Sequence, residues 1–186
     1  MARHSHWHNI QIVKGKADAA RAKVFTKMAR EITVAAREGG GDPASNARLK
    51  TAIAMARDVS MPKDNIERAI ARGVGGGSEG NVESVRYEGF GPGGTAWVVV
   101  ALTDNRARTA ANVKIIFSKH EGSVSDPNAV MWMFDASRGE EGKMEYTAKT
   151  PMKVDTDTTN QIRDLVEALE EDDDVQDYFT NAEEPV

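Results

Sequence analysis

Cysteine is absent from this chain of 186 residues, and proline and aromatic residues are scarce. The lack of cysteine excludes a disulfide-based scaffold, a cysteine-ligated zinc finger and a thiol nucleophile. No stretch reaches the ~18 consecutive apolar residues of a membrane span. Residues 1–7 lack the apolar core of a signal peptide. We therefore expect a soluble cytoplasmic protein without a membrane partner, whose 40% apolar residues are sufficient for a packed core.

The formal net charge of −5 averages two halves of opposite sign. Residues 1–76 contain 14 Lys and Arg against 7 Asp and Glu, whereas residues 77–186 contain 10 against 22. The sign changes at the glycine-rich stretch 73–80, where the backbone is least restricted. We therefore expect a basic domain over 1–76 that binds polyanions and an acidic domain over 77–186.

Apolar spacing in the basic half predicts three helices. The first covers 17–37, the second runs from 43 to about 59, and the third follows Pro62. Asp42 is predicted to cap the second helix, with Pro43 at its first position. Gly73 is predicted to end the third helix.

The acidic half has the pattern of an α/β sandwich. Predicted strands cover 82–90, 95–103, 129–134, 143–154 and 175–180. Predicted helices cover 158–171 and the residues up to Lys119 that follow a cap at Asp104 or Asn105. This order is that of a ferredoxin-like split βαβ sandwich with one extra strand in front, so the predicted class is α+β. Residues 89–94 match G-x-G-x-x-G, but a strand follows them, which indicates a hairpin turn and no nucleotide cofactor.

One face of the first helix carries a row of cations opposite its apolar stripe. At 100° per residue, Lys16, Lys23, Lys27, Arg30 and Arg37 lie within roughly 80° of one another. Acidic residues are nearly absent from this face, so the row is predicted to contact phosphates. An ordinary solvated Lys/Arg face is the alternative interpretation.

The segment 3–10 is polar and cationic and contains Trp7, which can stack on an unpaired base. Alternating His4, His6 and His8 could instead bind a transition metal, but no further ligand pattern supports that interpretation, and no metal is predicted. A frayed terminus is a third interpretation. The acidic run 170–174 follows a predicted helix and is interpreted as a solvated edge that repels nucleic acid. Because no nucleophile–base arrangement is present, the chain is not predicted to be an enzyme.

Motifs along nearly the whole chain resemble the YebC family, which includes the mitochondrial translational activator of cytochrome oxidase subunit one. They read HSxWxNI at 4–10, FTK at 25–27, REI at 30–32, GGGDP at 39–43, MPKDNIERAI at 61–70, YEGFGPGG at 87–94, LTDNRxRT at 102–109, FSKH at 117–120, DDVQ at 173–176 and TN at 180–181. Members of this family usually have a small residue in place of Arg3 and a Lys in place of His6.

The resemblance implies a non-enzymatic regulator of gene expression, either a DNA-binding transcriptional regulator or a ribosome-associated translation factor. Combined with the cationic row, it gives a set of predicted nucleic-acid-binding residues. They are His4, Ser5, His6, Trp7, Asn9, Lys14, Lys16, Lys23, Lys27, Arg30, Arg37, Met61, Pro62, Lys63 and Asn65.

Most members of the family carry an inserted domain between the positions of Phe134 and Lys143, where this chain has only 135–142. We therefore expect two domains, with Phe134 and Lys143 on directly connected hairpin strands. Ribosomal RNA is the favoured target, because no predicted helix begins with base-reading side chains and a Trp/His arm suits irregular RNA. A DNA target remains open, as does a protein-interaction adaptor that docks its acidic half on a basic partner.

Overall fold

The computed structural model describes residues 17–75, 82–139 and 143–183. Five α-helices lie in these ranges: α1 (Ala17–Gly39), α2 (Ala47–Asp58), α3 (Lys63–Val74), α4 (Arg106–Lys119) and α5 (Thr156–Glu171). The strands in the same ranges are β1 (Glu83–Phe90), β2 (Ala96–Thr103), β3 (Ser123–Ser125), β4 (Phe134–Arg138), β5 (Met144–Ala148), β6 (Met152–Lys153), β7 (Val175–Thr180) and β8 (Ala182–Glu183). The predicted α+β class, with a three-helix region before an α/β sandwich, is confirmed.

The three N-terminal helices share one apolar core. The stripe of α1, including Met28 and Ile32, packs against Leu49 and Ile53 of α2 and Ile66 of α3. Ala-rich faces bring the helices close together, because methyl groups leave little volume between the backbones.

The second helix begins later than predicted. Its N-cap is Asn46, whose side-chain oxygen accepts a hydrogen bond from the Leu49 amide at 3.0 Å. The Asn46 amide group also donates to the carbonyl oxygens of Ala35 and Gly40 at 2.7 and 2.8 Å. Asp42 instead forms the preceding turn and is not the cap. The contacts to the end of α1 decide the position, because they satisfy carbonyls that the end of a helix leaves unpaired.

Gly73 does not end α3, which continues to Val74. The glycine is buried at the crossing of α3 with α1, where an added Cβ would lie 2.5 Å from the carbonyl oxygen of Thr33 and 2.7 Å from Cβ of Ala36. Thr33 also donates its hydroxyl to the carbonyl oxygen of Ala69 at 3.2 Å. Close approach of two backbones therefore requires glycine here.

The main sheet contains four antiparallel strands in the order β3-β1-β2-β7. The tight connection between β1 and β2 carries Gly93 and Gly94 at positive φ, as expected for a hairpin turn and not for a phosphate-binding loop. β2 and β7, the first and last strands of the predicted split βαβ unit, pair directly.

β2 is covered on both faces, which explains its continuous apolar sequence. Trp97 and Val99 pack against Phe117 of α4 and Leu165 of α5. On the opposite face, Val98 packs beneath the segment that includes Phe134. The second half of the molecule is therefore layered, with helices on one side of the sheet and the β4–β5 hairpin on the other.

The middle strands differ from the prediction. Residues 131–133 form a short 3₁₀ helix, and the predicted strand 143–154 is divided into β5 and β6. β4 and β5 pair with each other, which confirms two paired strands after Phe134, but Lys143 lies just before β5 and not on it as predicted. The two strands do not join the main sheet, because β1 occupies the edge of β2 through a short local turn.

Candidate nucleic-acid interface

The cationic row of α1 lies against the C-terminal end of α5. Lys23 Nζ is 3.0 Å from the carbonyl oxygen of Glu171, and Lys27 Nζ is 3.0 Å from that of Glu170. The last carbonyls of a helix lack intrahelical partners and form the negative end of its dipole. The lysines of one half of the chain therefore cap a helix of the other half.

Arg30 extends this contact to a buried carboxylate. Its guanidinium donates to the carbonyl oxygen of Asp173, and its Nη1 lies 2.8 Å from Oδ1 of Asp174. Asp174 Oδ2 also accepts from the Thr109 hydroxyl at 2.6 Å and from Nη2 of Arg108 at 2.8 Å. The Asp174 side chain is only 5% exposed, so one carboxylate joins α1, α4 and the segment after α5.

Protonation equilibria reflect this environment. Burial by itself would raise the pKa of Asp174, but the hydrogen bonds from Thr109 and Arg108 and the charge of Arg30 hold that pKa below its ordinary value. Burial lowers the pKa of Lys27, and the acidic residues around the end of α5 offset part of that effect. Asp174 is therefore ionised at neutral pH and stabilised as an anion.

The interpretation of 170–174 as a solvated edge is wrong for Asp174, which is buried. The run also supplies the carbonyl oxygens that receive Lys23, Lys27 and Arg30. The physical reason is complementarity: the most basic helix face of one half meets the most acidic helix end of the other.

An apolar residue lies within the cationic row. On a helical wheel Val34 falls between Lys27 and Arg30, opposite the stripe that packs on α2 and α3. It is 3% exposed yet lies outside the helical core cluster. Nearby, buried Glu31 pairs with Nε of Arg48 at 2.9 Å. The row face of α1 therefore contains a buried apolar side chain beside its cations, and the Glu31–Arg48 pair joins α1 to α2 within the helical half.

The fourth described cation of the row, Arg37, also contacts the second half. Its guanidinium donates to the carbonyl oxygen of Val82, the residue before β1. Lys143, which precedes β5, lies 4.0 Å from Glu31 and 4.0 Å from Asp177. All four described cations of the predicted row therefore have partners inside the protein.

The predicted contact segment 61–65 divides into buried and exposed residues. Met61 is 6% exposed and belongs to the helical core. Pro62 is the exposed N-cap residue of α3. Lys63 is exposed and pairs with Glu67 at 3.3 Å, and Asn65 accepts a hydrogen bond from Arg68. Pro62 and Lys63 are thus accessible to a partner, whereas Met61 has a packing role.

Several cations that sequence reasoning did not select are solvent-exposed on the helical half, among them three on α2 and α3. Lys50 and Arg57 lie on α2, and Arg72 lies in the last turn of α3. Within residues 17–75, 82–139 and 143–183, none of the three has an acidic partner within ion-pair distance. Their signal in the sequence is weak, because single cations on short helices are typical of any solvated surface.

Seven predicted residues lie outside the part of the chain that the structure describes. They are His4, Ser5, His6, Trp7, Asn9, Lys14 and Lys16. His8, considered as a metal ligand with His4 and His6, lies outside it too. In the described ranges no group of three or more metal-ligating side chains is arranged to hold a metal ion. Helices long and apolar enough to cross a membrane are also absent from those ranges.

Arg108, Thr109 and Asp174 form the centre of the contact but were not among the predicted site residues. Two signals could have pointed to them: the LTDNRxRT motif at 102–109 and an acidic run directly after a helix. A sequence does not show which cation a carboxylate meets when the two are more than a hundred residues apart.

Two family profiles match the chain. The TACO1/YebC protein N-terminal domain matches residues 5–76. The TACO1/YebC second and third domain matches residues 82–140 and 136–182. Together they account for both halves of the chain.

Curated relatives and a solved structure are similar to the chain. A "Probable transcriptional regulatory protein" of Desulfitobacterium hafniense is 52% identical over 157 residues, which cover 84% of this chain and 60% of the relative. A protein of the same name from Desulfosudis oleivorans is 55% identical over 135 residues, which cover 73% of this chain and 55% of the relative. The chain thus spans 55 to 60% of the length of these relatives. A crystal structure of a conserved hypothetical protein from Aquifex aeolicus has a TM-score of 0.85, with 33% identity and 98% of each chain covered.

Proposed function

The chain belongs to the TACO1/YebC family, and on that basis we propose that it is a non-enzymatic, nucleic-acid-binding regulator of gene expression. Its relatives carry the name "Probable transcriptional regulatory protein", which supports a regulatory role. We place this role in the cytoplasm. We also propose that residues 1–76 act as the nucleic-acid-binding domain and residues 77–186 as a second, acidic domain.

The observation that carries the proposal is the set of exposed cations on the helical half. Lys50, Arg57, Lys63 and Arg72 are all exposed, and the half 1–76 has twice as many basic as acidic residues. Exposed cations gain from phosphate contacts through release of the counterions on a nucleic acid. The segment 3–10 would add to this surface, and the row of α1 would add to it when its cations leave their partners in the second half of the chain.

We favour RNA, and ribosomal RNA in particular, as the target. α3 begins with Lys63 and Asp64, and a carboxylate at the start of a helix is poorly suited to the acceptor-rich major groove of DNA. The sequence of the arm, with Trp7 and three His, suits unpaired bases. A DNA target is the second candidate, because the names of the relatives refer to transcription.

Crosslinking in cells followed by sequencing of the attached nucleic acid distinguishes these targets. We expect ribosomal RNA to be recovered. Recovery of discrete duplex DNA sites would replace the RNA proposal with the DNA one. Recovery of neither would contradict nucleic-acid binding and favour a protein-interaction adaptor.

A binding experiment tests the exposed cations directly. The variant Lys50→Ala/Arg57→Ala/Arg72→Ala is expected to bind a labelled single-stranded RNA more weakly at every salt concentration. Loss of three phosphate contacts lowers the slope of log affinity against log salt by about 2. Fluorescence anisotropy across a salt series measures both quantities.

The matched control removes three exposed cations from the α/β half, as Lys114→Ala/Lys119→Ala/Lys153→Ala. It makes the same change in net charge and is expected to retain the wild-type slope. Equal losses in the two variants would show that net charge alone, and no surface on α2 and α3, determines binding.

A further inference from the structure

The C-terminal end of α5 presents to α1 the chemistry of a phosphate backbone. It offers a series of oxygen acceptors, at Glu170, Glu171 and Asp173, with negative charge from the helix dipole and the neighbouring carboxylates. A nucleic-acid strand also offers closely spaced anionic oxygens to Lys and Arg. The same cations are therefore suited to either partner.

The row cannot hold both partners at once. Lys23, Lys27 and Arg30 each direct their charged group at this end of α5, and Arg30 adds the ion pair with buried Asp174. A phosphate that reached these groups would have to replace the carbonyl oxygens. Because both interactions are charge-assisted hydrogen bonds, they are of comparable strength and the exchange is thermodynamically accessible.

The contact is open to solvent at its margins. Lys23 and Arg37 are exposed at the two ends of the described row, whereas Lys27 and Arg30 are partly buried and Val34 is buried. A strand of nucleic acid would therefore meet the exposed cations first. Replacement of the α5 oxygens by phosphates would then proceed toward Val34. The burial of Val34 opposes complete separation of α1 from α5.

We propose that the acidic end of α5 is an internal competitor that occupies the α1 row and must be displaced before a nucleic acid binds there. This inference rests on the proposed function, because it concerns the regulation of the same surface. The full row then becomes available only to a polyanion that competes successfully with α5. Weak, non-specific polyanions bind only the exposed cations of α2 and α3. The contact between α1 and α5 therefore favours extended ligands over short ones.

A reversible crosslink tests the competition in the full chain. Because the sequence has no cysteine, Lys23→Cys/Glu171→Cys creates the only two thiols, on residues that are in contact and exposed. A short bis(methanethiosulfonate) reagent locks α1 on α5, and a reducing agent releases it. Binding of a labelled single-stranded RNA and of a duplex DNA of matching sequence is measured in both states. We expect release to tighten binding by about tenfold or more, within the range of coupled binding events.

The outcomes separate the two proposals. Equal affinity in the locked and released states would overturn the competition and leave nucleic-acid binding intact. If neither state binds RNA or DNA, the proposed function fails and the competition fails with it. The single variants Lys23→Cys and Glu171→Cys, treated in the same way, control for the lost charges and are expected to be unaffected by reduction.

A second variant avoids the crosslink. Glu171→Gln/Asp173→Asn removes two exposed charges at the contact, and Asp164→Asn/Glu167→Gln removes two exposed charges earlier on α5. The first variant is expected to bind RNA several-fold more tightly than the second. Equal RNA affinity of the two variants would show that the end of α5 does not compete with RNA for the α1 row.

Discussion

Replacing Asp174 with Asn changes one buried carboxylate on which three elements depend. In the native protein this side chain receives Arg30 from α1, Arg108 and Thr109 from α4, and is itself part of the segment between α5 and β7. Asn keeps the size of the side chain but removes its charge and turns one acceptor into a donor. The new NH₂ group would face donors, so at least one hydrogen bond is lost without a substitute.

The magnitude follows from the exposure of the partners. The Thr109 hydroxyl is buried and its charge-assisted hydrogen bond contributes about 1.5 to 3 kcal/mol. The Arg30 side chain is 19% exposed, and loss of its pairing costs about 1 kcal/mol more. Arg108 is 44% exposed, so solvent compensates for most of its loss. We expect the free energy of unfolding to fall by about 3 kcal/mol in total.

The effect depends on pH with a definite sign. The pKa of Asp174 is held below its ordinary value in the folded protein, and the unfolded value is about 3.9. The stability that the ionised group contributes is therefore fully present above that value. It is lost as the pH falls through the lower, folded pKa. The difference between wild type and Asp174→Asn is expected to be largest near neutral pH and to shrink below about pH 4.

Urea unfolding at pH 7 and at a series of acidic pH values measures both predictions. With a denaturant slope of about 2 kcal/mol/M, a loss of 3 kcal/mol moves the midpoint by about 1.5 M. The adjacent Asp173→Asn is the matched control, because that side chain is exposed and is expected to change stability by less than about 0.5 kcal/mol. A loss below about 1 kcal/mol for Asp174→Asn, or a difference that does not change with pH, would refute the assigned role of the carboxylate.

Three further substitutions test the helical half, each by urea unfolding. Gly73→Ala is expected to cost about 1 to 3 kcal/mol, because its Cβ would lie 2.5 Å from the carbonyl oxygen of Thr33; an unchanged midpoint would mean that α1 and α3 separate easily. Asn46→Ala is expected to cost about 1 to 2 kcal/mol through loss of the cap on the Leu49 amide, and wild-type stability would disprove that cap. Met61→Ala is expected to lower the free energy of unfolding by about 2 to 5 kcal/mol. A Met61→Ala variant with wild-type stability but weaker RNA binding would instead assign Met61 to the binding surface.

The sequence predicted the positions of helices and strands well where neighbouring residues determine them. α4 begins after Asn105, one of the two predicted caps, and β7 covers 175–180 as predicted, because a helix cap and a short strand are set by neighbouring residues. The α2 start was misplaced from Asn46 to Asp42 because both residues are good caps by themselves. Only the end of α1, where Asn46 donates to the Ala35 and Gly40 carbonyls, distinguishes them.

The pairing of strands was harder to predict from the sequence than their positions. The run at 129–134 is apolar enough for a strand, yet it became a 3₁₀ turn that covers the outer face of β2. Whether a strand joins a sheet depends on which edge is vacant, and β1 had taken the vacant edge of β2. That outcome is a property of the assembled sheet.

The amino-acid sequence alone places Lys23, Lys27, Arg30 and Arg37 on one helical face, because the helical period sets the relative direction of side chains along one element. It also determined that the two halves carry opposite charge. The contact of these cations with the end of α5 and the burial of Asp174 follow from tertiary packing. Contacts between residues so distant in the chain depend on how two packed units fit together, and no local period encodes that fit.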